Sequence, residues 1–216
     1  MKTKLFHVLM KDPRIRAIIC IGLAGLATGC VFMRKPVTLT LAPPAGQPLP
    51  AGSKASLALG EFKDTRLVTD GFVLVQDENA YGPTEGAFVT EKPVAELFRD
   101  GLRSALEQDG FPITQPAPYE LRGNLQSSGV RVIEGFMFPR EIKFWLTARF
   151  DLVDSATGLT VWHDTYTGQN TTTNLTWNRK MFVVPACSNM LVNTITQLVS
   201  DRMFRRYFEP QPTNAP

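Results

Sequence analysis

The chain predicts an α+β fold: a single domain with a mainly antiparallel sheet and two amphipathic helices packed on one face. Three patterns carry that prediction. Ile142, Phe144, Leu146, Ala148, Phe150 and Leu152 alternate with Lys143, Thr147, Arg149 and Asp151, the two-residue period of a strand with one buried face. Val94, Leu97, Phe98, Leu102, Ala105 and Leu106 recur at three- and four-residue steps, the period of a helix lying on a core. Cys187, Met190, Leu191, Ile195 and Leu198 form a second stripe of the same kind. Strand blocks that alternate with only two helices are most economically layered with both helices on one side of the sheet.

The elements follow in chain order. Residues 1–29 are expected to be a removable signal peptide. The run Ala17 to Gly29 is apolar but shorter than the about 20 residues needed to cross a bilayer. It is preceded by Lys2, Lys4, Lys11, Arg14 and Arg16, as a leader requires. Met10 opens a more compact leader and is an alternative start. Residues 30–54 read as a tether, because Pro36, Pro43, Pro44, Pro48, Pro50, Gly46 and Gly52 forbid a helix and limit strand pairing. Val37 to Leu41 alternates with Thr, which allows a short edge strand there.

Residues 55–208 form the domain. Ala55 to Phe62 reads as a strand ending in the turn Lys63-Asp64-Thr65-Arg66. Phe72 to Val75 and Ala87 to Val89 are shorter strands around a loop at Asp77 to Glu85. Pro93 suits the first position of the first helix and Gly110 its end. Tyr119, Leu121, Gly123 and Leu125 mark the next strand, Ile142 to Leu152 the strongest one, and Leu159 to Thr167 the third, after a hairpin loop at Asp154 to Gly158. The last helix is expected from about Pro185 to Arg206, with Arg202, Arg205 and Arg206 at its negative pole. Residues 209–216 are a Pro-rich, unstructured tail.

Hydrophobic residues at 44% and charged residues at 20% belong to a globular chain. The formal charge of +3 resides in the leader; without residues 1–29 the chain is near −1, so no nucleic-acid surface is indicated. Cys20 leaves with the leader, and if Cys30 carries lipid then Cys187 has no thiol to pair with.

Leu26-Ala27-Thr28-Gly29-Cys30 resembles the lipobox of bacterial lipoproteins, with the favoured Leu one place further from the cysteine than is usual there. The resemblance implies cleavage before Cys30 and acylation of that cysteine on its sulfur and its new amino terminus. By the same resemblance, Val31 after the cysteine implies the outer membrane. Within the domain, Asp64-x-Arg66, Pro93-Val94…Leu97-Phe98…Leu102…Ala105-Leu106…Gly110-Phe111, Tyr119-x-Leu121-x-Gly123-x-Leu125 and Gly158…Trp162 carry a further likeness. This arrangement resembles YajG-like lipoproteins and the auxiliary lipoproteins of lipid-transporting ABC systems. That likeness implies a small α/β fold, no catalysis and no catalytic residues to carry over.

The residues themselves point the same way. His163 is the single histidine outside the leader and reads as a strand-surface residue, since a hydrolytic triad needs a positioned base and a metal site several ligands. Cys187 is expected in the first turn of the last helix, on its apolar stripe, as a small buried hydrophobe. Asp64, Arg66 and Asp70 read as residues that fix a turn. Neither a phosphate-binding glycine loop nor a nucleophile elbow is present after the leader, and no cofactor is implied. Gly135-Phe136-Met137-Phe138-Pro139 places three large apolar side chains between two strands. It is either a loop that contacts a partner or a lipid surface, or one that folds back on the sheet. Asn170 to Asn178, carrying Trp177, is a second recognition candidate. The expectation is a non-catalytic, membrane-anchored accessory protein of an envelope complex, reaching the membrane through Cys30 and binding an envelope protein. A lipid or small-ligand carrier and an envelope hydrolase are the alternatives.

Overall fold

Alternating apolar residues commit one face of each long strand to the core, and the helices exist to cover it. In the computed structural model, residues 34–41, 48–50, 55–68, 70–76, 87–133, 140–174 and 179–210 are described. They contain β1 (Arg34–Pro36), β2 (Leu57–Asp64), β3 (Val73–Gln76), β4 (Ala87–Val89), α1 (Val94–Gln108), β5 (Tyr119–Ile133), β6 (Arg140–Asp154), β7 (Thr160–Asn174), α2 (Arg179–Val199) and α3 (Arg202–Arg205). The leader, Cys30, the segment Phe136-Met137-Phe138, Trp177 and the tail beyond Pro210 lie outside the described residues.

The main sheet has the order β2-β5-β6-β7. Its β5–β6 and β6–β7 pairings are antiparallel, while β2 pairs with β5 in parallel. That parallel pairing becomes possible because β3, β4 and α1 intervene in the chain and supply the crossover. A smaller sheet has the order β1-β4-β3, with β4 parallel to β1 and antiparallel to β3. The fold class is therefore α+β, single-domain and mostly sheet.

The strands of the main sheet exceed their apolar patterns. The β5 pattern ends near Leu125, where the register shifts between Leu125 and Ser127. Before that bulge Leu121 and Leu125 point to the covered face of the sheet; beyond it Ser128 and Val130 do, paired with Leu146 and Phe144. One extra residue has moved the inward set from odd to even numbers, which hides the strand's continuation from a period-two reading.

α1 lies against β2 and β5, α2 against β6 and β7, and the helices touch each other. Between them and the sheet, Phe98, Leu102, Phe144, Leu146 and Phe150 are fully buried. Phe62, Phe98 and Phe150 pack with ring centroids 6.0 to 6.5 Å apart. Full burial of each such side chain stabilises by about 1.5–3 kcal/mol.

Local chemistry sets the helix ends. Pro93, expected at the first helical position, is instead the N-cap of α1, which begins one residue later at Val94. Past its C-cap at Asp109, Gly110 takes φ +83, its N–H donates to Glu107 O at 3.1 Å, and Phe111 N–H donates to Leu106 O at 2.9 Å. This is a Schellman closure, with glycine where the left-handed backbone demands it.

α2 departs from expectation at both ends. It begins at Arg179, well ahead of Pro185, which it carries inside the helix. An interior Pro removes a helical hydrogen bond and costs about 3 kcal/mol in an isolated helix; here burial of Val183, Ala186 and Cys187 on the same stripe offsets it. α2 ends at Val199 because Asp201 starts a new helix: its Oδ1 accepts from Met203 N at 2.6 Å and from Phe204 N at 2.9 Å. The span Phe182–Val199 is long and apolar enough to cross a membrane, yet half of it is buried inside the fold, so it serves as a core helix.

The segment expected as a tether is partly built into the domain. Arg34–Pro36 pair with β4, Val37 is buried, and Leu39, Leu41 and Leu49 pack against the core. Apolar residues at alternate positions outweigh the surrounding prolines, whose missing N–H groups are tolerated on an edge strand.

Candidate functional site

The turn after β2 is fixed by an ion pair between buried Arg66 and half-buried Asp64. Arg66 Nε donates to Asp64 Oδ1 at 2.8 Å and Nη2 to Asp64 Oδ2 at 2.6 Å. Its Nη1 donates to Leu74 O and to Ser128 Oγ, each at 2.8 Å, while Ser128 Oγ donates to Leu74 O at 2.7 Å. The fork of one guanidinium thus joins β2, β3 and the second half of β5. Asp70 Oδ1 accepts from Phe72 N at 3.0 Å, a turn-fixing contact of its own. All three residues stand in the structural roles their sequence suggests.

A buried pair lies near the other end of the sheet. Arg205 Nη1 donates to Val199 O at 3.0 Å and lies 3.4 Å from Asp109 Oδ2, with its guanidinium carbon 5.6 Å from the Phe111 ring centre. Arg205 is thereby spent on a contact between α3 and the end of α1, in place of the helix-pole role expected for it. Tyr166 Oη donates to Asp201 Oδ2 at 2.7 Å, and burial, reinforced by this bond, raises the phenol above its ordinary value.

His163 and Cys187 lie on opposite faces of the main sheet. His163 is exposed on the sheet face turned away from the helices, paired across strands with Asp151. Arg149 Nη2 donates to Asp151 Oδ1 at 2.8 Å. Cys187 is buried on the helix side, well inside α2 and not in its first turn, so the helix pole does not act on its thiol. Burial pushes that thiol from 9.0 up to about 12. Among the described residues no group of three His, Cys, Asp or Glu side chains could hold a metal ion.

Two surface features remain. Along β7, side chains of the helical layer cap outward carbonyls: Asn193 Nδ2 donates to Gln169 O at 2.8 Å, Gln197 Nε2 to Thr167 O at 3.1 Å, and Tyr207 Oη to Val161 O at 2.7 Å. An open groove of about 500 Å³ lies beside them, lined by Thr167, Gln169, Asn193, Thr196, Gln197 and Ser200, all uncharged.

At one end of the main sheet, Ile133 pairs with Glu141 and Arg140 with Asn174. The connection holding Phe136, Met137 and Phe138 leaves from the first pair of strand ends, and the one holding Trp177 from the second. The topology therefore starts both candidate recognition segments at the same edge of the fold, although their own residues are outside those described.

No family model and no curated protein matches this chain. Among solved structures, a Xanthomonas campestris protein of the DUF330 family aligns at 13% identity over 81% of this chain and 97% of its own, with a TM-score of 0.56. The two share a fold. An Acinetobacter baumannii minor lipoprotein aligns over 68% of this chain and 93% of its own at 11% identity, TM-score 0.41. A Neisseria meningitidis lipoprotein does so over 65% and 99% at 12% identity, TM-score 0.35.

Sequence reasoning missed Asp201 and the capping of β7. The first was announced by Ser200-Asp201 ahead of Met203 and Phe204, a helix-start signature inside an apolar stripe. The second had no local signal, since Asn193 and Gln197 look like ordinary residues of a helix's polar side.

Proposed function

We propose that this protein is a non-catalytic lipoprotein of the cell envelope that acts as an accessory binding component of a transport or assembly complex. Lipid on Cys30 anchors it at the outer membrane, facing the periplasm, and an envelope protein is its partner. The leader and the lipobox-like Leu26 to Cys30 support the address. The observation that carries the binding role is the pairing of the strand ends from which the Phe136-Met137-Phe138 and Trp177 connections leave. Two connections whose sequences carry large aromatic residues and which start from the same edge of the sheet suit an interface of aromatic anchors.

The reading is tested by placing a photo-crosslinking amino acid at Phe136, Phe138 and Trp177 in turn, in cells, with Ser155 on the far hairpin as the control. A defined envelope protein captured at the first three positions and not at Ser155 is the expected result. Absence of adducts at all three, with the protein present in the membrane fraction, would remove the binding role. Mass spectrometry of the mature amino terminus, compared with Cys30→Ser, tests the anchor separately.

A further inference from the structure

Only Val31, Phe32 and Met33 stand between Cys30 and Arg34, the first residue of β1. Four peptide steps, fully extended, reach about 14 Å. From Arg34 to Thr38 the chain is held to β4 and the residues after it. Arg34, Lys35 and Pro36 are in register with Ala87, Phe88 and Val89. Val37 N donates to Val89 O at 2.9 Å, and Val37 is buried. Thr38 Oγ1 donates to Glu91 at 2.7 Å, and Leu49 N to Asp109 O at 2.8 Å.

Resting on the lipid anchor of the preceding reading, we propose that the protein is docked on the bilayer through the end of the small sheet where Arg34, Gln76 and Ala87 meet. The acyl chains hold Cys30 at the boundary between hydrocarbon and headgroups, and the headgroup layer alone is roughly 6 Å deep on each side. Little reach is left after crossing it. A free Pro-rich tether ending at residue 54 would instead let the domain stand off by up to about 75 Å, with no fixed facing.

The same geometry says which end is far from lipid. Gln76 pairs with Ala87, and nearby Leu74 O accepts from Ser128 Oγ in the second half of β5. Ser155 N donates to Pro118 O, just ahead of the start of β5. Nine residue steps along β5 from Tyr119 to Ser128 put about 30 Å between those levels.

The test uses the full-length acylated protein with Cys187→Ser in vesicles of phosphatidylethanolamine and phosphatidylglycerol carrying a nitroxide on the headgroup. A fluorophore is attached in turn at Lys35→Cys, Gln76→Cys and Ser155→Cys. Quenching at positions 35 and 76 is expected to exceed that at 155 by at least threefold. Inserting twenty Gly and Ser residues after Met33 should bring all three to the same low level. Equal quenching at the three positions, or quenching indifferent to the insertion, in a protein shown by mass to be acylated, overturns the docking while leaving the anchor standing. A mass showing Cys30 unmodified removes the anchor, and the docking with it.

Discussion

Arg66 makes four side-chain hydrogen bonds from a position with no solvent exposure. A lysine there would keep the charge but lose the planar fork, leaving Asp64 and the Leu74–Ser128 junction short of donors. Arg66→Lys is expected to lower the unfolding free energy by about 3 kcal/mol, read from the urea midpoint at constant slope. Cys187 provides a pH prediction. Below pH 9 its thiol keeps the proton in folded and unfolded chains alike; between 9.0 and about 12 the unfolded chain releases it first. The unfolded state is the one favoured, so this group's contribution makes stability fall as pH rises through that window, by at most about 1.4 kcal/mol per pH unit. Cys187→Ala should flatten the decline in urea midpoint between pH 9 and 11, whatever its effect at pH 7. The Asp64-x-Arg66 pair was readable as a turn-fixing unit from its spacing. Its reach to Leu74 and Ser128 was not, because those partners are brought near only by the packing of the small sheet on β5.

Among the elements, α2 and β7 approach closely at Gly168. A Cβ placed there would overlap Met190 O and the backbone nitrogen of Thr194, neither of which can swing aside. Gly168→Ala should therefore lift α2 from the sheet and cost roughly 1–3 kcal/mol, a lower melting temperature by about 5 °C. Gly129→Ala would meet the Trp145 side chain, which can turn away, and its effect is expected to be smaller. Element type was legible wherever one period ran unbroken: β6 and α1 were found from Ile142 to Leu152 and from Val94 to Leu106. Ends were less legible. Pro185 looked like a start because an interior proline is costly in isolation, and only the burial of Val183 and its neighbours shows why the helix runs through it. Gln126 broke the period of β5 without breaking its ladder.

For the whole molecule, the layered arrangement followed from counting elements, since two apolar helical stripes need one covered sheet face. The parallel β2–β5 pairing did not, because it joins residues far apart in the chain and leaves no local trace. The candidate contact residues were chosen for apolar side chains where turn chemistry is expected, and the fold adds to them only the shared edge from which they start. The capped carbonyls of Val161, Thr167 and Gln169 have a consequence for life on a surface. Lipid on Cys30 would confine many copies to a two-dimensional film, where an unguarded strand would seed copy-to-copy growth of sheet. A visiting strand would find three acceptors along this rail already taken by Tyr207, Gln197 and Asn193. Crowding on the membrane can then bring copies together side chain to side chain without fusing their backbones.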